Sequence, residues 1–321
     1  MSSDTPSTTV EAAEARDAGT AIAAAAVGAV SGTADAAAVE TVSETPGEAA
    51  GEASVTADAV LVSDDGGIRR ITLNRPSAAN ALRPADRDAV IAALSDADAD
   101  ASIRVVVIAA NGRHFCSGAD VKALAGDRAA GGEKHVGDAA RRIRNGAQRL
   151  VSAVLDCGKP VVAVVGGPAA GIGAHLAFAA DLVVASEEAT FLESFVRRGL
   201  VVDGGGAYLL PRRIGLQKAK ELAFFGDALP AREALALGLV NRVVPAADLA
   251  TAADEFANRL AQSPTSAIAL TKQLFNSSLD ADRAAAFAAE STAQELQSHA
   301  HDSAEGVRSF VERRAPEFRG Y

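Results

Sequence analysis

Three short stretches of this chain carry residue types that can do chemistry together. Ser117-Gly118-Ala119 follows an apolar run, IRVVVIA at 103–109. Gly171-Ile172-Gly173 follows a second apolar run, Pro160–Val165, and leads into an Ala- and Leu-rich segment. Asp203 stands before three glycines in VVDGGG. Small residues where a strand gives way to a helix leave the backbone open to a ligand. The first N–H groups of a helix also have no internal partner, and the helix dipole favours negative charge there. Two such turns can present two N–H groups to one oxygen, the minimum needed to hold a carbonyl oxygen as it becomes negative. One acid nearby can then move a proton. Read alone, the turns are also what tight helix–strand contacts need, and Asp203 before a helix is also what an N-cap looks like.

Other groups compete for roles in the same place. His175 lies three residues beyond Ile172, on the same helix face and one turn deeper, and titrates near neutrality. Its other reading is a packed, hydrogen-bonded helix residue. Glu193 stands two before Phe195, so an extended segment turns both to one side. Its other reading is a solvated acid. There is no GxSxG elbow, and Ser117 has no evident His partner, so a serine hydrolase ranks last. The five His and two Cys form no ligand cluster, so no metal is expected; no resident cofactor is expected either.

The motifs FCSGADVKAL, KPVVAVVGGPAAGIGAHLAFAADLVVASEEATF and GLVVDGGGAYLLPRRIG together resemble the enoyl-CoA hydratase/isomerase (crotonase) family. The similarity starts near Val60 with IRRITLNRPSAANAL and runs to EGVRSFVERRAPEFRG. It implies a crotonase-type spiral of repeated ββα units with a C-terminal helical oligomerisation module. It also implies an acyl-CoA thioester as substrate, coenzyme A being part of that substrate. The backbone N–H groups of Ala119 and Ile172 would be the oxyanion donors. Ala79, Leu82, Ser117, Gly118, Asp120, Val121, Lys122 and Gly171 would line the acyl-CoA site, with His175, Glu193 and Phe195 beside them. Asp120 has a second reading as a helix N-cap, and Arg75 and Lys122 are candidates for the coenzyme A phosphates.

Two departures from the family pattern matter. The hydratases that add water to a 2-enoyl-CoA use two glutamates, and their positions hold His175 and Phe195 in this chain. The acid that remains is Asp203. Its surroundings resemble the phenylacetate-pathway-type enoyl-CoA isomerases, whose acid occupies this position. The expectation is therefore an enoyl-CoA isomerase working through a dienolate. Two alternatives stay open: a hydratase with a non-standard acid/base set, and a non-catalytic acyl-CoA-binding subunit. Family members build trimers, often paired into hexamers, from their C-terminal helices, so a homotrimer or homohexamer is expected.

The elements that must position these residues follow in order. Val60–Leu73 reads as a hairpin around Asp-Asp-Gly-Gly, and Pro84 opens a helix to about Ala97. A helix is expected over Asp138–Leu155 and another over Ala170–Ala180. Helices at Leu216–Phe225 and Ala231–Leu237 follow, the second turning out of Asp227–Pro230, and then a strand in LVNRVV. From Ala246 the pattern is helical, with breaks near Ser263-Pro264 and Ser277–Asp280. The chain thus divides into an Ala-rich extension expected to be disordered (1–57), a spiral core (58–245) and a helical module (246–321).

Composition bounds the rest. The chain has 321 residues, 49% hydrophobic and 22% charged, with net charge −10. Its acidity argues against nucleic-acid and acidic-membrane partners. Two cysteines without a disulfide framework suit a reducing cytoplasm. The apolar stretch Ala21–Val30 is too short to span a bilayer, and Asp4, Glu11 and Glu14 do not fit a secretory signal.

Overall fold

The apolar runs become a parallel sheet buried on both faces. In the computed structural model, residues 58–120 and 135–321 are described, and they lie within one unit, Val55–Tyr321. The expected disorder of 1–57, and the placement of Val121 and Lys122, fall outside the described residues.

β1 (Val60–Asp65) and β2 (Ile68–Leu73) form the antiparallel hairpin. Its turn is Gly66-Gly67, both at positive φ (55° and 80°), which a two-residue turn matched to strand twist requires. β2 then pairs in parallel with β3 (Val105–Ala110), and β3 with β4 (Val161–Val165). β6 (Leu182–Ser186) and β9 (Arg242–Val244) complete the order β1-β2-β3-β4-β6-β9.

The pleat sorts side chains between two cores. Val106, Ile108, Val161, Ala163, Val183 and Ala185 enter the main core. Their neighbours Val105, Val107, Val162, Val164 and Val184 face Ala252, Ala253 and Ala257 of α7 (Leu249–Ala261). Near-continuous Val runs are what a sheet covered on both faces needs.

Each parallel strand is followed by a second, shorter pairing and then a helix. The second line is built from the bridges Leu82↔Ala119 and Cys116↔Ala169, then β5 (Ala169–Ala170), β7 (Thr190–Leu192) and β8 (Ala228–Pro230). The helices of the successive turns are α1 (Pro84–Ala99), α2 (Asp138–Ile143) with α3 (Arg149–Asp156), α4 (Ile172–Ala179), and α5 (Gly206–Phe225). This is a ββα spiral.

The structure departs from the sequence reading in four places. Ala169-Ala170 pair with β7 as a strand, so α4 begins at Ile172 rather than at Ala170. The expected single helix at 138–155 contains a π-turn, Arg144–Gln148, between α2 and α3. α5 starts at Gly206, and its continuity breaks at Gly215 (φ 74°, ψ 162°) before the expected Leu216 segment. Ala228–Pro230 is strand β8 rather than a plain turn into α6 (Ala231–Ala236).

α8 (Thr265–Ser278), α9 (Arg283–Ser298) and α10 (His301–Glu312) follow α7. Two charged anchors tie them down. Lys272 of α8 is buried, bonds Val154 O at 2.9 Å and pairs with Asp181 at 2.9 Å. At the C-terminus, Asp302 accepts the N–H groups of Arg319 and Gly320, while Glu305 accepts Arg314 and, at 3.0 Å, Glu317 N. Arg104, just before β3, reaches Phe318 O and Thr265 Oγ1.

The bonded Arg314 pushes the Glu305 carboxyl down to about 2 from its ordinary 4.5. A depressed carboxyl contributes stability above its ordinary value and loses it as pH falls through the folded one. Protonating Glu305 between pH 4.5 and about 2 should therefore loosen the Arg314–Glu317 stretch that it holds. Hydrogen exchange of that segment, normalised to intrinsic rates, should show protection at pH 7 lost on acidification. Glu305→Gln should lose the protection of the Glu317 amide at pH 7 already.

Candidate acyl-thioester site

The first loop of the site is held by a strained turn. Ala79 and Asn80 both adopt left-handed backbone (φ 50° and 54°), unusual for non-glycine residues. Buried Asn80 offsets that cost: its Nδ2 donates to Asn111 O (2.9 Å) and His114 O (2.8 Å), and its Oδ1 accepts Arg75 N (2.8 Å). The turn then presents Ala79 O to Ser117 N at 3.0 Å. Leu82 N donates to Gly118 O (2.8 Å) and Asp120 N to Leu82 O (3.1 Å), the parallel pattern in which Ala119 directs its own N–H elsewhere.

The second turn is fixed by glycine. Gly171 sits at φ 52°, ψ −123°, its N–H bonded to Leu192 O (2.8 Å) and its carbonyl to His175 N (3.0 Å). Ile172 is thus the first helical residue of α4, with a free N–H by construction. Neither Ala119 N nor Ile172 N donates to another backbone group among the described residues. The two turns run side by side: Phe115 N donates to Pro168 O, and Ala170 N to Cys116 O.

Gly173 is explained by packing. A Cβ there would stand 2.3 Å from Cys116 O, so its small size serves the contact between loop and helix, not access for a ligand. Burial pushes the Cys116 thiol up to about 12, leaving it unreactive.

Asp203 approaches from the third stretch. A Cβ on Gly204 would lie 2.8 Å from Ile172 Cδ1 and 3.2 Å from Ala147 Cβ, so the Asp203 turn rests on the side chain of Ile172 itself. Asp203 caps nothing: the residue before α5 is Gly205, with no side-chain cap bond. Its half-buried carboxylate has no hydrogen bond among the described residues. Burial raises its pKa above the ordinary 3.8, opposed by the charges of His175 and Arg87.

His175 and Glu193 pair with each other. Both are buried, and His175 Nε2 lies 3.1 and 3.0 Å from the two Glu193 oxygens. His175 Nδ1, on the far side of the ring, is buried without a partner among the described residues. Phe195 stacks on the His175 ring at 5.6 Å and borders Gly171. The two positions at which the resemblance places hydratase glutamates thus hold an imidazole engaged with Glu193 and an apolar ring.

Arg75 turns inward. It donates to Ala81 O (2.7 Å) and pairs with Asp86 and Asp120, each at 3.2 Å, so it is not placed as a free phosphate ligand. Asp120 is accordingly an ion-pair partner.

The sequence reading missed Arg87. It shares the α1 face of Val90, Ile91 and Leu94, at i+3, i+4 and i+7, and an arginine on an apolar face was the available signal. It also missed the His175–Glu193 pairing, which local spacing does not show.

With this geometry in hand, the relatives can be placed. The sequence profile described as Enoyl-CoA hydratase/isomerase matches residues 63–321, and the chain belongs to that family. It is 39% identical over 254 residues to a Rhodobacter capsulatus protein named "Probable enoyl-CoA hydratase", covering 79% of this chain and 95% of that one. It is 34% identical over 254 residues to the 1,2-epoxyphenylacetyl-CoA isomerase of Escherichia coli K12, again with 79% and 95% coverage. The crystal structure of an enoyl-CoA hydratase/isomerase from Cupriavidus metallidurans CH34 superposes with TM-score 0.76 at 34% identity, over 82% of this chain and 97% of that one. The protein is an acyl-CoA enzyme of this family. No helix among the described residues is long and apolar enough to cross a membrane.

Gly206 gives a direct test of this packing. A Cβ there would stand 2.3 Å from His175 Nε2 and 2.7 Å from Val202 Cγ1. Gly206→Ala should destabilise the fold by about 1–3 kcal/mol, the usual cost of overpacking, and should lower turnover by displacing the Asp203 turn. Denaturant melts and initial rates check both.

Proposed function

We propose that this chain is an enoyl-CoA isomerase with Asp203 as its single acid/base. The observation that carries the reading is that Asp203 is a half-buried carboxylate with no internal hydrogen bond, on a turn seated on Ile172. Adding water requires activating that water while a proton goes to carbon, the work of paired carboxylates. Here Glu193 is committed to His175, and Phe195 is apolar. Moving a double bond requires only one proton to leave one carbon and return at another.

The steps balance on one group. Asp203 takes a proton from an acidic C–H of the acyl chain. The electron pair spreads into a dienolate, whose negative oxygen rests on the N–H groups of Ala119 and Ile172. Asp203 then returns the proton at the other end of the conjugated system. A carboxyl raised above 3.8 by burial is a better match to this task than a solvated one. Ala79, Leu82, Ser117, Gly118 and Gly171 hold the thioester end, and coenzyme A enters only as part of the substrate.

Asp203→Asn should lower turnover by about 10²–10⁴-fold with acyl-CoA binding retained. The assay is mass spectrometry on a 2-enoyl-CoA and a 3-enoyl-CoA, following mass and double-bond position. Unchanged mass with a moved double bond, lost in Asp203→Asn, is the expected result. A product heavier by one water supports the hydratase reading carried by the Rhodobacter capsulatus relative. Turnover unaffected by the mutation removes Asp203 from the mechanism. The wild-type rate should also fall on the acid side at a pH above 3.8, because the reactive form is the ionised one.

The same proposal includes self-assembly. Phe275 (73% exposed), Phe287 (59%), Leu296 (60%) and Phe310 (84%) leave apolar surface on α8, α9 and α10. A homotrimer, alone or paired into a hexamer, would cover it. Light scattering should give a trimer or hexamer mass, and a monomer at micromolar concentration would refute this.

A further inference from the structure

Arg87 has no visible reason to be where it is. It makes no hydrogen bond and no ion pair among the described residues, and its Nε is enclosed without a partner. The acids nearest it on α1 are taken. Asp86 is held by Arg83 (2.7 Å) and Arg75 (3.2 Å), and Asp88 by Arg149 (3.0 Å). Arg87 is half-buried, and enclosing its Nε without an acceptor is unfavourable.

Its surroundings hold it in place. A Cβ on Gly146 would lie 3.1 Å from Arg87 Cζ and Nη2. The guanidinium thus rests on the π-turn, at a residue with no side chain to interfere. π-turns within helices often mark functional sites. The next residue, Ala147, borders Gly204 on the turn that carries Asp203. Gly204 also covers His175 Nδ1, the other buried side-chain atom without a partner among the described residues. Both unpartnered polar groups therefore flank the Asp203 turn, and Asp203 interacts electrostatically with each.

We propose that Arg87 reads the acyl group: it donates to an oxygen carried by the acyl chain near the carbons that Asp203 serves. The preferred substrates are then oxygenated acyl thioesters, bearing a hydroxyl, ether or carbonyl, rather than plain hydrocarbon chains. This rests on the reading of Asp203 as the acid/base, since that reading puts the reacting carbons beside Arg87. The charge balance favours a neutral oxygen over a carboxylate. Asp203 already supplies a negative charge opposite Arg87, and Glu193 a second behind His175. A further carboxylate would crowd like charges together.

The test is equilibrium binding of saturated, unreactive acyl-CoAs of equal chain length: an alkyl chain, the same chain with one CH₂ replaced by ether oxygen or carbonyl, and an ω-carboxylate. Each is titrated into wild type, Arg87→Met and Arg87→Lys, with thermal melts to verify folding. Wild type should bind the ether or carbonyl analogue about tenfold or more tightly than the alkyl one, as a hydrogen bond to a charged donor provides. Arg87→Met should bring the oxygenated analogue down to the alkyl affinity, and Arg87→Lys should keep part of the preference. Equal affinity for all analogues in wild type overturns the proposal. So does a uniform loss in Arg87→Met, which would make Arg87 a counter-ion of Asp203 only. A preference for the ω-carboxylate overturns the neutral-oxygen assignment. None of these analogues needs a base, so failure of the isomerase reading is seen separately, as turnover unaffected by Asp203→Asn.

Discussion

The site depends on how closely two stretches of backbone approach each other. The 113–119 loop lies against the 167–173 turn with no space for side chains at the contact. A Cβ on Gly167 would be 1.9 Å from Arg113 O, and one on Gly173 would be 2.3 Å from Cys116 O. Real Cβ atoms do not come so near, so glycine is obligatory at both positions while the turns keep this spacing. The consequences follow in sequence. The two turns share backbone hydrogen bonds, and Ala119 and Ile172 end up on adjacent segments with their N–H groups unspent. The Ile172 side chain then fills the gap between Gly118 and Gly204, so the residue that offers an N–H also supports the turn carrying Asp203. The arrangement of the two turns comes from backbone packing, so side chains around them can vary without disturbing it.

Much of this was legible in the sequence, for identifiable reasons. Buried parallel strands appear as continuous β-branched runs, so β3 and β4 could be read directly. Pro84 and Gly238 bound helices by their own stereochemistry, and Gly66-Gly67 defines the hairpin turn. What escaped was long-range or exceptional. Ala169-Ala170 have high helix propensity, yet they pair with Phe191 and Leu192 some twenty residues away, and tertiary pairing wins over propensity. The π-turn at Arg144–Gln148 has no local signature in an otherwise helical pattern. Arg75 looks like a solvated base until Asp86 and Asp120 are brought beside it.

The candidate site divides the same way. Asp203, Ala119 and Ile172 lie in motifs, so their positions could be named from the chain alone. The states of His175 and Glu193 could not, because each depends on the other across 18 residues. Either residue alone reads as an independent acid or base. Together they form a closed pair: the carboxylate accepts from the imidazole through both oxygens, and Phe195 covers the ring. A buried carboxylate without a donor would be strongly penalised, so Glu193 is retained by His175 as much as His175 is oriented by Glu193.

That pairing bears on the chemistry. Two free carboxylates facing one substrate repel each other and separate in pKa, which is how a site comes to hold an acid and a base together. Of Asp203 and Glu193 only Asp203 is without a side-chain hydrogen bond among the described residues, and its environment is mixed. Burial disfavours its charge, while the fields of His175 and Arg87 favour it. A group balanced in this way can accept a proton from carbon and release it again without a large penalty in either direction. Among the described residues, Glu193, the other acid of the candidate site, is paired with His175 and not free to steer a water molecule. The same balance limits what surrounds it: moving His175 or Arg87 alters the ease with which Asp203 gives the proton back, even if neither touches the substrate's α-carbon. In the isomerase proposal, the identity of the reaction rests on which carboxylate is left free more than on how many acids the site contains.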